Sequence, residues 1–402
     1  MSKKIHNSIS SFAKSSDCTS CMVCMDACHH NAINYMVDNN GFYRMKVNND
    51  LCIDCGACRQ TCPGINKTIY NESVLAKAFA AWNNDKLQRK HSASGGVFAA
   101  LATYIINHKG VIYGAAIDGF SIKHIRIDNL NDLHLLQNSK YQHSITIGIY
   151  RQVKDDLKNG KLVLFSGLGC QVAALYAYLG NQQYDNLFTI DTICGGLSSM
   201  LPMLSLARSN KYNGIISFRD KNNGWKSKGF TYRLKMMGTN GIEKDLGNDN
   251  LVLKCFSAKI TKRSSCLNCR FVGFKRKSDC TIGDFWGDTD FIQQHPMGLS
   301  SIVVHSQRMY QLLSMTNITM YEVAIKEIAQ NNPNIYFGKF KGVRYLLSRH
   351  LALFFLRMGL FCYAEPLMNY TSLFSIEMRF WGSHLQKKID VALFESLKIL
   401  DK

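Results

Sequence analysis

The sequence predicts an α+β domain at the N-terminus, a larger α/β domain behind it and a helical C-terminal tail. Cysteines crowd the stretch between residues 18 and 62, short apolar strands alternate with helices from about residue 76, and an apolar helical pattern follows residue 341. A chain of 402 residues is long for one hydrophobic core, so two or three domains are expected. We place them at residues 1–70, 71–340 and 341–402.

The cysteine-rich stretch contains the pattern C-x2-C-x2-C-x3-C twice. This spacing is typical of bacterial ferredoxins with two 4Fe–4S clusters, in which the fourth cysteine of each run binds the other cluster. The first domain is therefore predicted to be ferredoxin-like, with a hairpin between the runs that turns at Asn39-Asn40-Gly41. The predicted ligand sets are Cys18, Cys21, Cys24 and Cys62 for one cluster, and Cys52, Cys55, Cys58 and Cys28 for the other.

Zinc sites and disulfide bridges fit these cysteines less well than clusters do. Structural zinc sites usually pair two C-x2-C units across a longer loop, whereas each run here packs four cysteines closely. A disulfide framework belongs to exported proteins, and no apolar secretory segment follows the first residues. Pro63 follows the second run but His29 follows the first, which we expect to alter solvent access or potential at one cluster without removing a ligand.

The composition favours a folded protein in a reducing compartment. Hydrophobic content is 46%, and 15 cysteines without an export signal predict a cytoplasmic metal-binding protein. The net charge of +19 suggests nucleic-acid binding, but the cations are scattered and no nucleic-acid-binding motif accompanies them. The densest basic stretch, residues 254–277, lacks Asp and Glu. It suits an acidic protein partner or a phosphorylated cofactor, and an ordinary solvated surface is the alternative.

A small-residue turn opens the larger domain. Residues 78–82 and 111–118 are predicted strands, with a helix over residues 98–106 between them. Ser94-Gly95-Gly96 precedes that helix, so ligand atoms can approach the free N–H groups at its positive end. This arrangement suits a phosphate, although the motif by itself is more typical of a turn capped by serine.

Two later strands end beside cysteines. Cys170 and Cys194 each follow a strand, each stands next to glycine, and each lies at an expected helix start. Ligand sites form at the carboxyl ends of strands in parallel sheets. With a downstream C-x2-C pair, the candidate ligands of a third 4Fe–4S cluster are Cys170, Cys194, Cys266 and Cys269. A buried free cysteine is the alternative for each. Cys255 and Cys280 are competitors, while Cys280, in an apparent strand, and Cys362 are expected to pack in the core.

The motif series beyond the cysteine runs is specific. It consists of Ala81-Trp-Asn, Ser94-Gly-Gly-Val-Phe, Gly110-Val-Ile-Tyr-Gly-Ala, Ser139-Lys-Tyr, Leu164-Phe-Ser-Gly-x-x-Cys170-Gln, Asp191-x-x-Cys-x-Gly, Ser265-Cys-x-x-Cys and Asp279-x-Thr-Ile-Gly-Asp-Phe-Trp-Gly. In this order the motifs resemble the beta subunit of coenzyme F-420 hydrogenase and dehydrogenase, in the form with an N-terminal two-cluster ferredoxin. The resemblance covers about residues 15–340, and the chain looks most like bacterial branches found among polysaccharide-synthesis enzymes.

The resemblance implies a flavin, usually FAD, together with one more 4Fe–4S cluster in the larger domain and coenzyme F-420 as a candidate hydride partner. It places the flavin among Ser94, Gly95, Gly96, Ser139 and Lys140. The chain departs from the family pattern at Leu168-Gly169, where Thr-Pro is usual, and at Gly195, where His is usual. Both departures lie near the implied flavin and cluster, so the hydride partner stays open.

The C-terminal tail contains an apolar segment over residues 345–363 that suggests a membrane. Arg349 and Arg357 argue against a span, because a central Arg costs about 2.5–3.5 kcal/mol on insertion. We expect both on nearly the same helix face. A packed pair of C-terminal helices is predicted, and an interfacial helix with peripheral membrane contact is the alternative.

Iron–sulfur clusters pass single electrons, whereas flavins exchange hydrides. A chain with both cofactors can therefore couple one-electron transfer to hydride transfer. The sequence therefore predicts a flavin-dependent iron–sulfur oxidoreductase that links a ferredoxin-like donor or acceptor protein to a small organic substrate. The alternatives are a non-catalytic electron-transfer subunit of a larger redox complex, an accessory reductase in surface-polysaccharide biosynthesis, and a metal-structured protein that binds an anionic polymer. The sequence points to no particular catalytic residue.

Overall fold

The computed structural model describes residues 8–9, 12, 17–66, 77–222, 224–225, 232–258, 261–273, 276–286, 292–332, 335 and 343–367. Within them the chain forms a short cysteine-rich N-terminal region, a large mixed sheet with helices on both faces, a second small sheet and a C-terminal helical region. The fold is therefore mixed α/β, as the sequence predicted.

The strands of the described residues are short, and most belong to one large sheet. They are β1 Ile33–Val37, β2 Tyr43–Val47, β3 Lys77–Asn83, β4 Val111–Asp118, β5 Ser121–Ile127, β6 Ser144–Ile145, β7 Val163–Gly167, β8 Leu187–Thr192, β9 Tyr212–Arg219, β10 Tyr232–Gly238, β11 Glu243–Asp245, β12 Cys280–Asp284, β13 Ser300–Val304 and β14 Ile318–Glu322.

The helices alternate with these strands over much of the chain. They include α1 Val23–Asp26, α2 Ala57–Gln60, α3 Lys86–His91, α4 Val97–Asn107, α5 Leu133–Leu136, α6 Ile149–Lys158, α7 Gly169–Tyr178, α8 Leu201–Arg208, α9 Leu251–Ala258, α10 Ser264–Leu267, α11 Gln307–Ser314, α12 Ile325–Asn331 and α13 Val343–Arg357.

The predicted hairpin between the cysteine runs is present. Strands β1 and β2 pair antiparallel, with Ile33 opposite Val47. The Asp38 carboxylate accepts hydrogen bonds from the backbone N–H groups of Asn40 at 2.9 Å and Phe42 at 3.0 Å. Gly41 has a φ of 77°, a left-handed conformation that favours glycine. The turn therefore lies at Asn39-Asn40-Gly41, as expected.

The large sheet has the strand order β14-β3-β13-β12-β8-β7-β4-β5-β6. Strands β12, β8, β7 and β4 are parallel, and β3 shares their direction because it joins them through the antiparallel β13. Their carboxyl ends therefore meet at one edge of the sheet, which we call the carboxyl edge. These ends are Asn83, Asp118, Gly167, Thr192 and Asp284.

Alternate residues of the central strands face opposite helical layers. In β4, Ile112 packs with α4 and α11, whereas Val111 and Tyr113 pack with α6 and α7. Both faces are apolar because helices cover both. The helical layers thus fix the position of the carboxyl edge. Ligand sites form at this edge in such sheets.

A buried carboxylate connects the cysteine-rich region to the large sheet. Asp26, in α1, accepts hydrogen bonds from the backbone N–H groups of Gly148 at 2.6 Å and Tyr150 at 2.9 Å, at the start of α6. In return the Arg151 guanidinium donates to the carbonyls of Asp26 at 2.7 Å and Met25 at 3.1 Å. The cysteine-rich region thus supplies the N-terminal cap of α6.

One predicted helix begins later than expected. The chain does not turn into a helix at Cys194, and α8 begins only at Leu201. The intervening loop pairs with another segment instead, because the Leu197 carbonyl accepts from Arg263 N–H at 2.8 Å and Ser199 N–H donates to the Thr261 carbonyl at 3.0 Å. This pairing brings the loop after β8 beside the segment that leads into α10.

The tail is helical over α13 and over residues 361–367, and residues 368–402 lie outside the described part. Arg349 is buried, whereas Arg357, the last residue of α13, is exposed. The Arg349 guanidinium donates to the Lys262 carbonyl at 2.8 Å, which turns it toward the protein. No helix among the described residues combines the length and apolar character that a membrane crossing requires.

Candidate iron–sulfur centres

The two cysteine runs share an unusual backbone conformation. Residues on either side of the second cysteine of each run have positive φ, namely Ser20 at 55° and Met22 at 62°, and Asp54 at 57° and Gly56 at 79°. Non-glycine residues rarely adopt this conformation. Its repetition at matching positions shows that both runs curl in the same way before their short helices α1 and α2.

The cysteines of the two runs separate into two groups that exchange their fourth members. Burial raises the pKa of Cys24 well above its ordinary value, and the neighbouring thiols of Cys21, Cys18 and Cys62 raise it further. The structure thus brings Cys18, Cys21, Cys24 and Cys62 together, and we call these four residues the first cysteine group.

The second group forms in the same manner around Cys58. Burial raises its pKa, and the neighbouring Cys28, Cys52 and Cys55 raise it further. We call Cys28, Cys52, Cys55 and Cys58 the second cysteine group. The exchange of Cys28 and Cys62 between the runs is the arrangement that the spacing predicted.

The first and second groups differ in exposure. The first group is buried, whereas Cys55 of the second is exposed and Cys52 and Cys28 are half-buried. A partly open cavity with about 350 Å³ of empty space adjoins the second group. Ile53 beside it leaves 63% of its surface exposed. The second group is therefore the more accessible to another protein.

A third group assembles from three distant segments. Cys170 lies in the first turn of α7, Cys194 follows β8, and Cys266 and Cys269 lie in and after α10. Burial raises the pKa of Cys170 well above its ordinary value, and Cys269, Cys194, Cys21 and Cys266 raise it further. A cavity with about 590 Å³ of empty space is lined by all four thiols of this third cysteine group.

The competing cysteines stand apart from the third group. Cys280 is buried in β12 and packs in the apolar core with Ile190 and Ile302. Cys255, in α9, packs against α13. Burial raises the pKa of its thiol to about 12, and a hydrogen bond with the Thr261 side chain opposes this rise. Cys362 was expected in the core but is exposed, because the helical turn over residues 361–367 directs it outward.

The three groups lie in a series. Cys58 of the second group contributes to the raised pKa of Cys24 in the first, and Cys21 of the first contributes to that of Cys170 in the third. The hydroxyls of Tyr150 and Thr146 each donate to the Cys21 carbonyl at 2.8 Å. The first group is thus held against the large sheet, between the other two.

Groups of closely spaced, buried thiols suit iron–sulfur clusters. Each raised pKa means that a free thiolate is unfavourable there, and bound metal cations reverse that preference. Among the described residues, no three His, Cys, Asp or Glu side chains are arranged to hold a single metal ion. A cubane does not need that arrangement, because its four thiolates bind four different irons.

Three cations of the basic stretch at residues 254–277 are buried and do not form a solvated surface. Lys262 and Arg263 are each 1% exposed and Arg276 is 5% exposed. The side chain of Lys262 lies against Gly196, close to Cys194, and Arg276 lines the cavity of the third group. Lys259 and Lys275 of this stretch lie outside the described residues.

The residues implied for a flavin lie on two adjoining loops at the carboxyl edge. The Ser94 and Ser300 hydroxyls are 2.9 Å apart, and Gly95 N–H donates to the Ser300 hydroxyl at 3.0 Å. A Cβ on Gly95 would lie 2.6 Å from the Ser300 backbone N, so glycine is required for packing there. Gln137 donates to the Ser92 hydroxyl at 3.3 Å and thereby joins this loop to the loop that carries Ser139 and Lys140.

Two lysines stand beside these loops, Lys140, which the resemblance had implied, and Lys221, which the sequence did not single out. The Lys221 ammonium donates to the carbonyls of Arg89 and Met297, each at 2.8 Å, and to that of Ser94. Lys140 donates to the Gln137 carbonyl at 2.6 Å. Burial lowers the pKa of both lysines to about 7. Nothing in the local sequence around Lys221 indicates that it turns inward.

Two family models match the chain. Residues 17–64 match the 4Fe-4S dicluster domain, and residues 160–329 match the C terminus of the coenzyme F420 hydrogenase/dehydrogenase beta subunit. The fold and its cysteine groups are those of an iron–sulfur redox protein. Residues 160–329 thus match the coenzyme F420 hydrogenase/dehydrogenase beta subunit family and residues 17–64 match a dicluster domain, which confirms the resemblance seen in the sequence motifs.

No curated protein matches the chain. Among solved structures, a chain of the F420-reducing NiFe hydrogenase complex from Methanosarcina barkeri is 15% identical, with a TM-score of 0.42, and the match covers 66% of this chain and 93% of that one. A TM-score below 0.5 is too low to support any argument from this likeness.

Proposed function

We propose that this protein is an iron–sulfur flavoprotein oxidoreductase that passes electrons between a ferredoxin-type protein and an organic substrate or deazaflavin. The observation that carries the proposal is the third cysteine group, which lies at the carboxyl edge and adjoins the buried first group through Cys170 and Cys21. A protein with only the two clusters of a dicluster ferredoxin serves electron transfer. A third cluster at the sheet edge where ligands bind would connect this electron transfer to the reaction of an organic ligand.

In this proposal the three cysteine groups each hold a 4Fe–4S cluster. The domains are residues 1–70 for two clusters, residues 71–340 for the third cluster and the flavin, and residues 341–402 as a helical extension. Clusters with four thiolate ligands supply one-electron transfer. The chain contributes burial, N–H groups aimed at sulfur and fixed charges. For example, Gly196 N–H donates to Cys194 Sγ at 3.3 Å.

A flavin would be held by the two loops at the carboxyl edge, and it would supply hydride exchange when bound. Ser94, Gly95, Gly96, Ser139 and Lys140 remain the proposed contacts. Lys140 and Lys221 support this site: burial lowers their pKa to about 7, and a bound phosphate of FAD would favour the charged ammonium of each. These two lysines would bind and orient the anionic part.

Anaerobic purification followed by iron analysis and identification of released flavin tests the proposal. We expect about twelve irons per chain, from three clusters of four, and one flavin. Iron near eight with flavin retained would remove the third cluster from the proposal. Full iron without flavin would favour the electron-transfer subunit, and turnover of the isolated chain with an artificial reductant separates that case further.

Cys266→Ser provides the direct test of the third group. The variant should lose about four irons and keep the electron paramagnetic resonance signals of the two ferredoxin clusters. Cys255→Ser is the matched control, because Cys255 lies nearby in the chain but is buried against α13 instead of the third group. Full iron in the Cys266 variant, or equal loss in the control, would show that the ligand set is wrong.

A further inference from the structure

Three cations from the basic stretch surround the third cysteine group. The side chain of Lys262 lies against Gly196, two residues after Cys194, and Arg276 lines the cavity that all four thiols share. Arg263 directly precedes α10, and its carbonyl accepts from Cys266 N–H at 3.0 Å. All three cationic side chains are buried. We call Lys262, Arg263 and Arg276 the cation triad.

Arg263 also lies between the first and third groups. Its guanidinium donates to the Thr19 carbonyl, directly after Cys18, and contacts His143 Nδ1 at 3.0 Å. Arg276 donates to the Asp191 carboxylate at 3.0 Å, which offsets part of the positive charge of the triad. Three buried cations therefore adjoin the third group.

The other two groups have different surroundings. The second group has the Arg151 guanidinium, which donates to the Cys28 carbonyl at 3.3 Å. The first group shares Arg263 and also adjoins Arg151, but there the buried carboxylate of Asp26 accompanies the Arg151 charge. Hydrogen bonds from N–H to sulfur occur in both the second and the third group. Ala32 N–H donates to Cys28 Sγ at 3.3 Å, and the N–H groups of Gly196 and Leu197 donate to Cys194 Sγ at 3.3 Å and Cys266 Sγ at 3.5 Å.

We propose that the cation triad makes the third cysteine group the most easily reduced centre of the chain, so that electrons entering beside the exposed Cys55 are drawn through the first group to the carboxyl edge. The inference rests on the proposed function and adds a direction to it: the chain delivers electrons to its organic partner. The redox partner that docks beside Cys55 is therefore a one-electron donor protein.

The physical reason is charge. A cluster gains one negative charge on reduction, and cluster potentials respond to net charge and burial. A permanent cation in a buried, weakly screened site stabilises the more negative state. Each electron that leaves the donor protein is gained by a cluster of this chain, with no bond broken, and two successive transfers supply the two electrons of a hydride.

Redox titration of the anaerobically purified full-length protein, followed by electron paramagnetic resonance, tests the inference. In the parent protein the third cluster should be reduced at the highest potential of the three. Lys262→Gln should lower the equilibrium constant for electron transfer from the first to the third cluster by about tenfold or more, which corresponds to about 59 mV for one electron. Lys262→Arg should retain the parent potential because it keeps the charge.

Lys277→Gln is the matched control. Lys277 belongs to the same basic stretch, but its ammonium contacts Asn181 at 2.8 Å, beyond the end of α7 opposite to Cys170. This variant should leave all three potentials unchanged. Arg263→Gln provides a second variant in case Lys262→Gln fails to fold, and it should lower the potentials of both the first and third clusters.

Two outcomes would overturn the inference while the proposed function stands. In the first outcome, a parent protein with full iron and flavin has a third cluster whose potential is not the highest of the three. In the second outcome, the potential of the third cluster is the same in Lys262→Gln as in the parent protein. Loss of the third cluster from the parent protein would instead overturn the proposed function, and the inference with it. The iron count therefore distinguishes the two failures.

Discussion

Replacing Asp26 with alanine should loosen the contact between the cysteine-rich region and the large sheet. The carboxylate is 1% exposed and accepts from the backbone N–H groups of Gly148 and Tyr150 at 2.6 and 2.9 Å, with a longer contact of 3.4 Å to Arg151 N–H. Because Gly148 precedes α6 and has no side chain, Asp26 acts as the cap of that helix.

The size of the effect follows from these contacts. A hydrogen bond to a charged group contributes about 1.5–3 kcal/mol, and loss of a helix cap costs about 0.5–2 kcal/mol. Burial raises the pKa of Asp26, so part of this gain is offset by desolvation of the carboxylate. We therefore expect a local loss of about 1–3 kcal/mol, or roughly a 5- to 150-fold faster opening of the start of α6.

Hydrogen–deuterium exchange read by mass spectrometry measures this opening directly. A peptide that spans residues 148–151 should exchange faster in Asp26→Ala, with both ferredoxin clusters retained. Asp38→Ala is the control, because Asp38 accepts two similar N–H bonds at 2.9 and 3.0 Å, but within the β1–β2 hairpin. It should accelerate exchange in the hairpin and leave residues 148–151 unchanged.

Unchanged exchange at residues 148–151 in Asp26→Ala would refute the assignment of this carboxylate as the cap of α6. Equal acceleration at residues 148–151 in Asp38→Ala would show that the effect is a general loss of stability. Either result would show that the contact between the cysteine-rich region and the large sheet depends on the bonds of Tyr150, Thr146 and Arg151 and not on the Asp26 carboxylate.

Two further predictions concern the larger domain. Burial lowers the pKa of His124 to about 4, so protonation of this side chain destabilises the fold as the pH falls from 6.5 toward 4, by roughly 3 kcal/mol in all. His124→Gln should therefore flatten the fall of the thermal midpoint over that pH range, whereas the variant His134→Gln, at an exposed position, should not. The same pH dependence of the midpoint in His124→Gln and in the parent protein would contradict this. Gly95→Ala should destabilise the protein by about 1–3 kcal/mol, because its Cβ would lie 2.6 Å from the backbone N of Ser300. Gly114→Ala, which meets only side-chain atoms at 3.3 Å and beyond, should lower the thermal midpoint less, and the reverse order would contradict this reason.

The first two cysteine groups were predictable because their members lie close in sequence. Spacing of two and three residues restricts how a short loop can curl, and the positive φ of Met22 and Gly56 shows that both loops curl alike. The exchange of Cys28 and Cys62 followed from the same spacing. The strands β3 and β4 were also predictable, since their apolar residues form runs bounded by polar turns.

The third group was predictable in its members but not in its surroundings. Cys170 and Cys194 each follow a strand of one parallel sheet, and the direction of such strands brings their ends together. The loop after β8 was expected to be helical but pairs with Thr261 and Arg263. No local pattern around residue 195 indicates that pairing, because its partners lie far along the chain.

The amino-acid sequence by itself determined the cysteine groups, the alternation of strands and helices, and the resemblance to a known family. Only the tertiary structure decided where the charges of residues 254–277 point. A cation on a surface and a cation buried beside thiols have the same sequence signature, because burial depends on the segments that pack over it. Arg349 and Arg357 show the same limit in the tail, where one arginine turns inward and the other faces solvent.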